Sequence, residues 1–319
     1  MTLPSSTSLA PLCSFDAVCK WYGSVIGLND VTWDMQPGIT GLVGHNGAGK
    51  STLIKLLTGQ LRPSLGSVTI RGHHAWSAAA KRHLGYCPDL DAFYEEMSGK
   101  AFVRMMARLH GFSPRVARQR TDDVLQQVGM GDRANRPLAS YSKGMRQRIK
   151  LAQALVHDPD LIVLDEPLNG VDPVGRHELI ELFRNLASQG KAILISSHIL
   201  EEMDTLASRI LFICRGRLLA SGTLTEIRAL LDSHPLRIRI ATSRARELAT
   251  ELLRLEVVRS VAMELPDQIL LEVLRPKEFF GPLAELVTRH GHDLQRLQVI
   301  DATTEAIFDY LMQAAHHHP

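Results

Sequence analysis

A glycine-rich octapeptide constrains the fold of this chain more than any other feature. Gly44–Ser51 reads GHNGAGKS and fills every fixed position of the pattern GxxxxGK[ST]. The apolar stretch 38–43 before it predicts a short strand, and the apolar residues at helical spacing after it predict a helix. In such a strand–loop–helix unit, the backbone N–H groups of the loop and the positive end of the helix dipole converge on one point. The octapeptide therefore predicts a phosphate-binding loop in an α/β protein.

The side chains of this loop divide the work of binding a nucleotide. Lys50 supplies a positive charge to the β- and γ-phosphate oxygens, which also makes it a candidate catalytic residue, and Ser51 offers Mg²⁺ a hydroxyl ligand. The glycines let the backbone wrap closely around the phosphates. The residues expected to contact the nucleotide are Gly44, His45, Asn46, Gly47, Ala48, Gly49, Lys50, Ser51 and Thr52.

A pair of carboxylates follows a second apolar strand. Four apolar residues, 161–164, predict a buried strand, and Asp165 and Glu166 come directly after it. Because Mg²⁺ prefers oxygen ligands, Asp165 is predicted to bind the metal together with Ser51. Glu166 lies one residue further along and is predicted to polarise the water that attacks the γ-phosphate. The alternative is that the pair only caps a strand, and the phosphate-binding loop argues against that alternative.

The bulk composition limits the classes to which the chain can belong. Its 319 residues are 45% apolar and 22% charged, as in folded globular proteins, and exceed what one small core holds. The formal net charge of +2 provides no strong basic field, so no nucleic-acid partner is expected. No apolar run approaches the roughly 18 residues that cross a bilayer. The four cysteines are scattered without a CxxC pair, which indicates reduced thiols rather than disulfides or zinc ligands.

The order of predicted elements divides the chain into two domains. Apolar strands alternate with helices up to about residue 223, which predicts a parallel sheet covered on both faces, with an antiparallel N-terminal edge and a helical insert at about 98–139. Asp232–Pro235 reads as a linker. The order after it is βαββαβ plus a helix, the split βαβ arrangement of ferredoxin-like domains. The predicted domains are therefore 1–234, an α/β nucleotide-binding domain, and 235–319, a small α+β accessory domain.

Four further motifs accompany the phosphate-binding loop and the carboxylate pair. They are KWYG at 20–23, SYSKGMRQR at 140–148, NGVDP at 169–173 and SSH at 196–198. In this order, the six motifs resemble those of the ATP-binding cassette of ABC transporters, and the match covers roughly residues 15–223. The resemblance implies a P-loop NTPase fold of the ABC cassette type that binds ATP and Mg²⁺ and hydrolyses ATP.

The resemblance also implies roles for residues outside the loop. Tyr22 is expected to stack on adenine, with Trp21 as the lesser candidate, and an ordinary core aromatic is the alternative. His198 is expected to hydrogen-bond the γ-phosphate as a catalytic residue. Three residues are expected to act across an interface on a second cassette: Ser142, Gly144 and Asp172. Two cassettes, expected to be identical chains, would then enclose two ATP molecules between them.

Two positions depart from the family pattern. Asp89 stands where the family usually has a glutamine that contacts Mg²⁺ and the attacking water. An aspartate can still bind the metal, but it adds negative charge near the γ-phosphate, so we expect a differently tuned site. Lys143 replaces the first glycine of the signature and is expected to face solvent or a partner. Because Ser142 and Gly144 are intact, activity need not be lost.

The signature variant and the C-terminal extension resemble the ABC-2 exporter branch of the family. This implies a separate integral membrane permease as partner and a peripheral position at the cytoplasmic face of the membrane. In the family, the helical insert meets the permease. Its aromatic and methionine residues are equally open to interpretation as core or contact residues: Phe93, Tyr94, Met97 and Phe102.

Two other functional classes remain open from the sequence. One is a soluble ABC ATPase without a permease, but the chain has a single cassette and no long heptad run between Lys50 and Asp165. The other is a regulatory ATP-binding subunit with slow hydrolysis, an idea that Asp89 supports. In the tail, His290 and His292 are interpreted as loop residues after a helix, and no catalytic group is predicted there. A regulatory or dimer-supporting role is hypothesised for the tail.

Overall fold

The computed structural model describes residues 11–229, 235–301 and 303–317. The chain divides into two compact units, Met1–Ser221 and Gly222–Pro319. The second unit begins before the predicted boundary at 234/235, because the helix Leu224–Ala229 packs against the helix Thr304–His317. Most of the predicted linker, Asp232–His234, lies outside the described residues.

Ten strands occur in the part of the first unit that the structure describes. They are β1 (Cys13–Tyr22), β2 (Val25–Met35), β3 (Gly38–Val43), β4 (Leu65–Ile70), β5 (His73–His74), β6 (Leu84–Cys87), β7 (Leu161–Asp165), β8 (Ala192–Ser196), β9 (Arg209–Cys214) and β10 (Arg217–Gly222). They form two sheets, one of six strands in the order β10-β9-β3-β8-β7-β6 and one of four in the order β2-β1-β4-β5. The predicted α/β fold with an antiparallel N-terminal sheet is confirmed.

The six-stranded sheet is parallel from β6 through β9. Leu161–Leu164 in β7 and Ile193–Leu194 in β8 are fully buried, as expected for strands that are covered on both faces. Residues of β1, β2 and β4 share one apolar core with β3, β7 and β8. The carboxyl ends of β3, β7 and β8 therefore lie side by side at one edge of a rigid sheet.

The part of the first unit that the structure describes has seven α-helices, five of which begin at a residue whose side chain caps the helix. They are α1 (Lys50–Leu57), α2 (Ala78–Lys81), α3 (Gly99–Leu109), α4 (Pro114–Gln127), α5 (Lys143–Leu155), α6 (Pro173–Ser188) and α7 (Leu200–Leu206). Asp172 caps α6, its carboxylate accepting from the Gly175 N–H at 3.1 Å, and Pro173 occupies the first helical position. As a result α6 begins three residues before the predicted start at Arg176. Helix α5 ends at Leu155, two residues before the predicted end.

The helical insert is present, and the aromatic residues in and just before it differ in how far they are buried. Phe102 in α3 is 2% exposed and packs edge-to-face with Phe93, at 5.1 Å between ring centroids. Phe102 is therefore a core residue, whereas Tyr94 is 63% exposed. Of the candidate contact residues, Tyr94 is the one that a partner can reach most readily.

The second unit is built from a short helix and an α+β sandwich. Its elements are α8 (Leu224–Ala229), β11 (Leu236–Ala241), α9 (Ala245–Leu252), β12 (Val258–Leu265), β13 (Gln268–Val273), α10 (Pro276–His290), β14 (Arg296–Val299) and α11 (Thr304–His317). The strands form an antiparallel sheet in the order β12-β13-β11-β14, which is the predicted ferredoxin-like arrangement. Alternate residues of β11 and β13 point into a core that also takes one face of α9 and α10. None of the described helices of the chain combines the length and apolar composition needed to span a membrane.

Adjacent phenylalanines in α10 test this core. Phe279 is fully buried, and Phe280 is 42% exposed. We expect Phe279→Ala to lower the free energy of unfolding of the second unit by about 3–5 kcal/mol, because it leaves a cavity. The matched change Phe280→Ala should cost about 1 kcal/mol or less, the value of an exposed aromatic pair. Amide hydrogen exchange over residues 235–301 measures both effects, and equal protection in the two variants would contradict this assignment of the core.

Candidate functional site

The phosphate-binding loop connects β3 to α1 as predicted. A Cβ atom at Gly44 would lie 2.4 Å from the backbone oxygen of Ile213, so the chain can pass β9 at this point only as glycine. Gly49 has φ +112°, a left-handed value that leads directly into the first turn of α1. Ala48 is buried, and its carbonyl accepts from the N–H of Gly216 at 2.8 Å. Gly44 and Ala48 thus form the buried base of the loop.

Lys50 is held at the opening of this loop. Its Nζ donates to the backbone oxygens of Gly44, at 2.5 Å, and His45, at 3.3 Å. Burial lowers the pKa of the Lys50 ammonium, while the charges of Glu166 and Asp165 act in the opposite direction. The Lys50 amine thus lies against two backbone oxygens of the loop and near two carboxylates, at a point where a bound phosphate would meet it.

Asp165 ends β7 beside Ser196, the last residue of β8. The two residues are register partners, and the Ser196 hydroxyl donates to Asp165 Oδ1 at 2.6 Å. Burial raises the pKa of the Asp165 carboxyl, the hydrogen bond from Ser196 opposes that rise, and the charge of Asp89 adds to it. Sequence reasoning treated Ser196 only as part of the SSH motif. Its position at the end of a strand next to that of Asp165 was the signal that it orients the carboxylate.

Glu166 adopts an unusual backbone conformation. Its φ of +50° lies in the left-handed region, which costs a non-glycine residue roughly 1–3 kcal/mol. The Glu166 N–H donates to both the backbone oxygen and the hydroxyl of Ser196, at 3.2 and 3.1 Å. Its carboxylate lies 2.8 Å from Nδ1 of His198, which is 54% exposed on the side chain. The predicted base and the predicted switch histidine are thus in direct contact.

These groups line a single open cleft of about 420 Å³. The predicted site residues that line it are Tyr22, His45, Asn46, Gly47, Gly49, Lys50, Ser51, Thr52, Asp89, Asp165 and Glu166. Tyr22 is 45% exposed, and its hydroxyl lies 3.5 Å from the Thr52 hydroxyl. The Tyr22 ring passes over Gly27, where a Cβ atom would approach it to 2.7 Å. An exposed ring at the edge of a polar cleft is available for stacking, and the core interpretation of Tyr22 is not supported.

Asp89 is held in the cleft by a charged network that sequence reasoning missed. The buried Lys150 donates to the Asp89 backbone oxygen at 2.7 Å and pairs with Asp91 at 3.0 Å. Arg146 of the signature helix joins the same network through Asp91, at 2.6 Å, and Glu95. The network thus holds the Asp89 main chain, and Asp89 lines the cleft together with Lys50. The sequence signal for this network is the spacing of Arg146 and Lys150, which are four residues apart and therefore lie on one face of α5.

The signature residues lie apart from this cleft. Ser142 caps α5, and Gly144 lies about 3.9 Å, measured from a built Cβ, from the Asp172 carboxylate. Of the residues that the structure describes, those that line the cleft do not include Ser142, Gly144 or Asp172. Lys143 is exposed as expected, but its side chain also lies across Gly170 in the loop after Glu166.

Comparison with known proteins agrees with this geometry. Residues 28–169 match the family described as ABC transporter. The chain is 34% identical over 275 residues to the daunorubicin/doxorubicin resistance ATP-binding protein DrrA of Streptomyces peucetius, covering 85% of this chain and 83% of that protein. It is 40% identical over 206 residues to an uncharacterized ABC transporter ATP-binding protein of Nostoc sp., covering 64% of this chain and 62% of that protein, less than two thirds of its length.

A solved structure shares the fold. It is described as an ATP-binding subunit of an ABC transporter, superposes with a TM-score of 0.64 at 30% sequence identity, and covers 69% of this chain and 93% of the other. Its description agrees with the family match over residues 28–169.

The contact between Ser196 and Asp165 generates a pH-dependent prediction. A protonated Asp165 is a poor cation ligand, so the acid limb of the pH–activity profile should follow its pKa. Ser196→Ala removes a hydrogen bond that favours the carboxylate, so the pKa of Asp165 rises and the acid limb moves to higher pH. We also expect Mg²⁺ to bind about tenfold more weakly, as is typical when a group that orients a metal ligand is removed. Steady-state kinetics at varied pH and Mg²⁺ concentration measure both effects.

Asp89→Asn is the matched variant, and it should shift the pKa of Asp165 in the opposite direction. It removes a negative charge that raises the pKa of Asp165, so the acid limb should move to lower pH. An acid limb that stays in place in both variants would show that Asp165 is not the ionisable ligand.

Proposed function

The chain belongs to the ATP-binding proteins of ABC transporters, and we propose that it hydrolyses ATP in this cleft to drive a separate membrane permease of the exporter type. The observation that carries the proposal is the convergence of Lys50, Asp165 and Glu166 on one open cleft. A cation, an acidic residue at a strand end and a second carboxylate are the groups that phosphoryl transfer to water requires.

The residues around Asp165 suit Mg²⁺. Ser51, Asp89 and Asp165 offer only oxygen ligands, and the repulsion between the two aspartates is what a bound cation relieves. Bound there, the metal would neutralise charge on the β- and γ-phosphates. The protein residues supply the rest, since Lys50 compensates phosphate charge from the opposite side and the loop N–H groups surround the phosphate oxygens.

Glu166 is the proposed general base. Its carboxylate takes the proton of the water that attacks the γ-phosphorus in line with the departing ADP oxygen. His198 Nδ1 donates to one carboxylate oxygen of Glu166, which orients the imidazole, and Nε2 of the imidazolium form is the donor assigned to a γ-phosphate oxygen. The residue proposed to bind the γ-phosphate, His198, directly contacts the residue proposed to catalyse its removal, Glu166. Loss of the γ-phosphate would therefore change the surroundings of both residues. This intact pair favours turnover over the alternative of a purely regulatory ATP-binding subunit.

A second copy of the chain completes the proposed site. Ser142, at the N-terminus of the 13-residue helix α5, has a partial positive environment that suits a γ-phosphate. It does not line the cleft of its own chain, so its proposed ligand is ATP held by the other cassette. Asp172, next to Gly144, is proposed to make the contact between the two copies. ATP that binds the closed pair better than ADP does would then shift the permease between its states.

The exporter assignment rests on similarity rather than on the cleft. The relative from Streptomyces peucetius is named for resistance to daunorubicin and doxorubicin, and its similarity extends over most of this chain. We propose that this chain likewise serves an exporter and sits at the cytoplasmic face of the membrane through its permease. The exposed Tyr94, which lies just before the helical insert, is the proposed contact.

Glu166→Gln tests the catalytic assignment. We expect turnover to fall by about 10²-fold or more, because the proton acceptor is lost while the size and shape of the side chain are kept. ATP should then hold the variant as a dimer, as measured by light scattering after gel filtration. The control is Glu201→Gln, which removes an exposed carboxylate from α7 and should leave both quantities unchanged. Near-normal turnover of Glu166→Gln would remove Glu166 as the base.

Recovery of the chain from detergent-solubilised host membranes tests the permease partner. We expect a multi-spanning membrane protein to copurify and to be identified by mass spectrometry. Tyr94→Glu should reduce its recovery about tenfold, because it places a charge in the proposed contact. Leu65→Glu changes an equally exposed residue on the antiparallel sheet and should not reduce recovery. Copurification of ribosomes or repair proteins instead would favour a soluble ABC ATPase.

A further inference from the structure

Two histidines and a glutamate converge in the second unit, far from any motif. Glu251 lies in the last turn of α9, and His290 is the last residue of α10. Gly291 then adopts φ +61°, and His292 folds back so that its N–H donates to the Val287 oxygen at 3.1 Å. This left-handed glycine cap brings both imidazoles to the same carboxylate. His292 lies in the loop after α10, as predicted, and His290 is the last residue of the helix; their shared contact with Glu251 is what the sequence did not indicate.

The three side chains have the geometry of a ligand set. Their nearest ligand atoms all lie within 4.8 Å of one another. His292 Nε2 is 2.9 Å from Glu251 Oε2, and His290 Nδ1 contacts Glu251 Oε1. Ligands about 2.0 Å from a tetrahedral zinc are roughly 3.3 Å apart. Small side-chain rotations, mainly of the half-exposed His290, reach that spacing.

The chemical state of the cluster suits a cation. His290 Nδ1 and His292 Nε2 donate to the two oxygens of the Glu251 carboxylate, so that both imidazoles face the same acidic group. The His292 side chain is fully buried, and its Nδ1 has no hydrogen-bond partner. Nε2 is therefore the protonated nitrogen of this imidazole, and binding of a metal ion at Nε2 would release that proton.

The charged side chains next to the cluster pair with groups outside it. Arg244 pairs with Glu247 and donates to the His290 backbone oxygen at 3.0 Å, which steadies the backbone of one ligand. Asp293 turns to Ser243 Oγ, at 2.6 Å, and to Thr242. The cluster is thus distinct from the adjacent acidic residue.

We propose that Glu251, His290 and His292 bind a divalent transition-metal ion of the Zn²⁺ class. Two imidazoles and one carboxylate favour such borderline ions over Mg²⁺ and Ca²⁺, which prefer all-oxygen sites. Three protein ligands leave a coordination position for water. The metal joins α9 to the end of α10, and because it binds the folded state it stabilises the second unit.

The experiment is a Co²⁺ titration of the full chain followed by visible absorption. The chain carries three histidines near its C-terminus, so all variants are made in a background with His316, His317 and His318 replaced by alanine. We expect about one equivalent of Co²⁺ to bind with d–d bands typical of four or five ligands, and Zn²⁺ to displace it. Zn²⁺ should also slow amide exchange in α9 and in the last turns of α10.

Glu251→Gln and His290→Gln are the test variants, because both keep the size and polarity of partly exposed side chains. Each should weaken Co²⁺ binding at least tenfold and abolish the Zn²⁺ effect on exchange, with circular dichroism unchanged. His73→Ala, an exposed histidine in the first unit, is the control and should bind as the background does. Equal affinity in all four proteins, or no saturable Co²⁺ spectrum in the background, would overturn the proposal.

Discussion

The parallel pairing of β3, β8 and β7 determines where every reactive group of the first unit lies. Ser196 is the register partner of Leu42 on one side and of Asp165 on the other. The phosphate-binding loop, the serine and the two carboxylates therefore leave the sheet at the same level. Full burial of the three strands makes this edge stiff, since packed cores resist small displacements. A shift of one residue in either pairing would move Asp165 away from Lys50.

Electrostatics explains why such a site is costly until it is loaded. Asp165 and Asp89 face the same cleft as Glu166, and Lys50 is the cation whose charge acts on Asp165 most directly. The hydrogen bond from the Ser196 hydroxyl to Asp165 offsets part of the repulsion between the carboxylates. Lys150 donates to the backbone oxygen of Asp89 and so holds its main chain. A glutamine at position 89 would remove one charge. The aspartate instead adds a negative charge that raises the pKa of Asp165.

The sequence predicted those parts of the structure that depend on local pattern. The loop 44–51 and the strand before Asp165 follow from short-range spacing, and so does the βαββαβ order of the second unit. What it could not predict depends on contacts between distant segments. Lys150 reaches Asp89, Ser196 reaches Asp165, and Glu251 meets His292 across a separation that no local periodicity encodes. The boundary between units was missed for the same reason, because α8 packs against a helix far along the chain.

Residues that depart from the usual preferences for backbone conformation or burial indicate the functional sites of this chain better than its composition does. Of the described non-glycine residues at positive φ, Glu166 is the one that lines the cleft. Its strain is balanced by two hydrogen bonds from its N–H to Ser196, which suggests that the conformation aims the carboxylate at His198. In the second unit, the buried His292 is a comparable exception. Its Nδ1 is buried without a hydrogen-bond partner, which costs free energy rather than stabilising the core. In both units, a polar group is held where folding alone does not favour it, and each such position calls for a ligand.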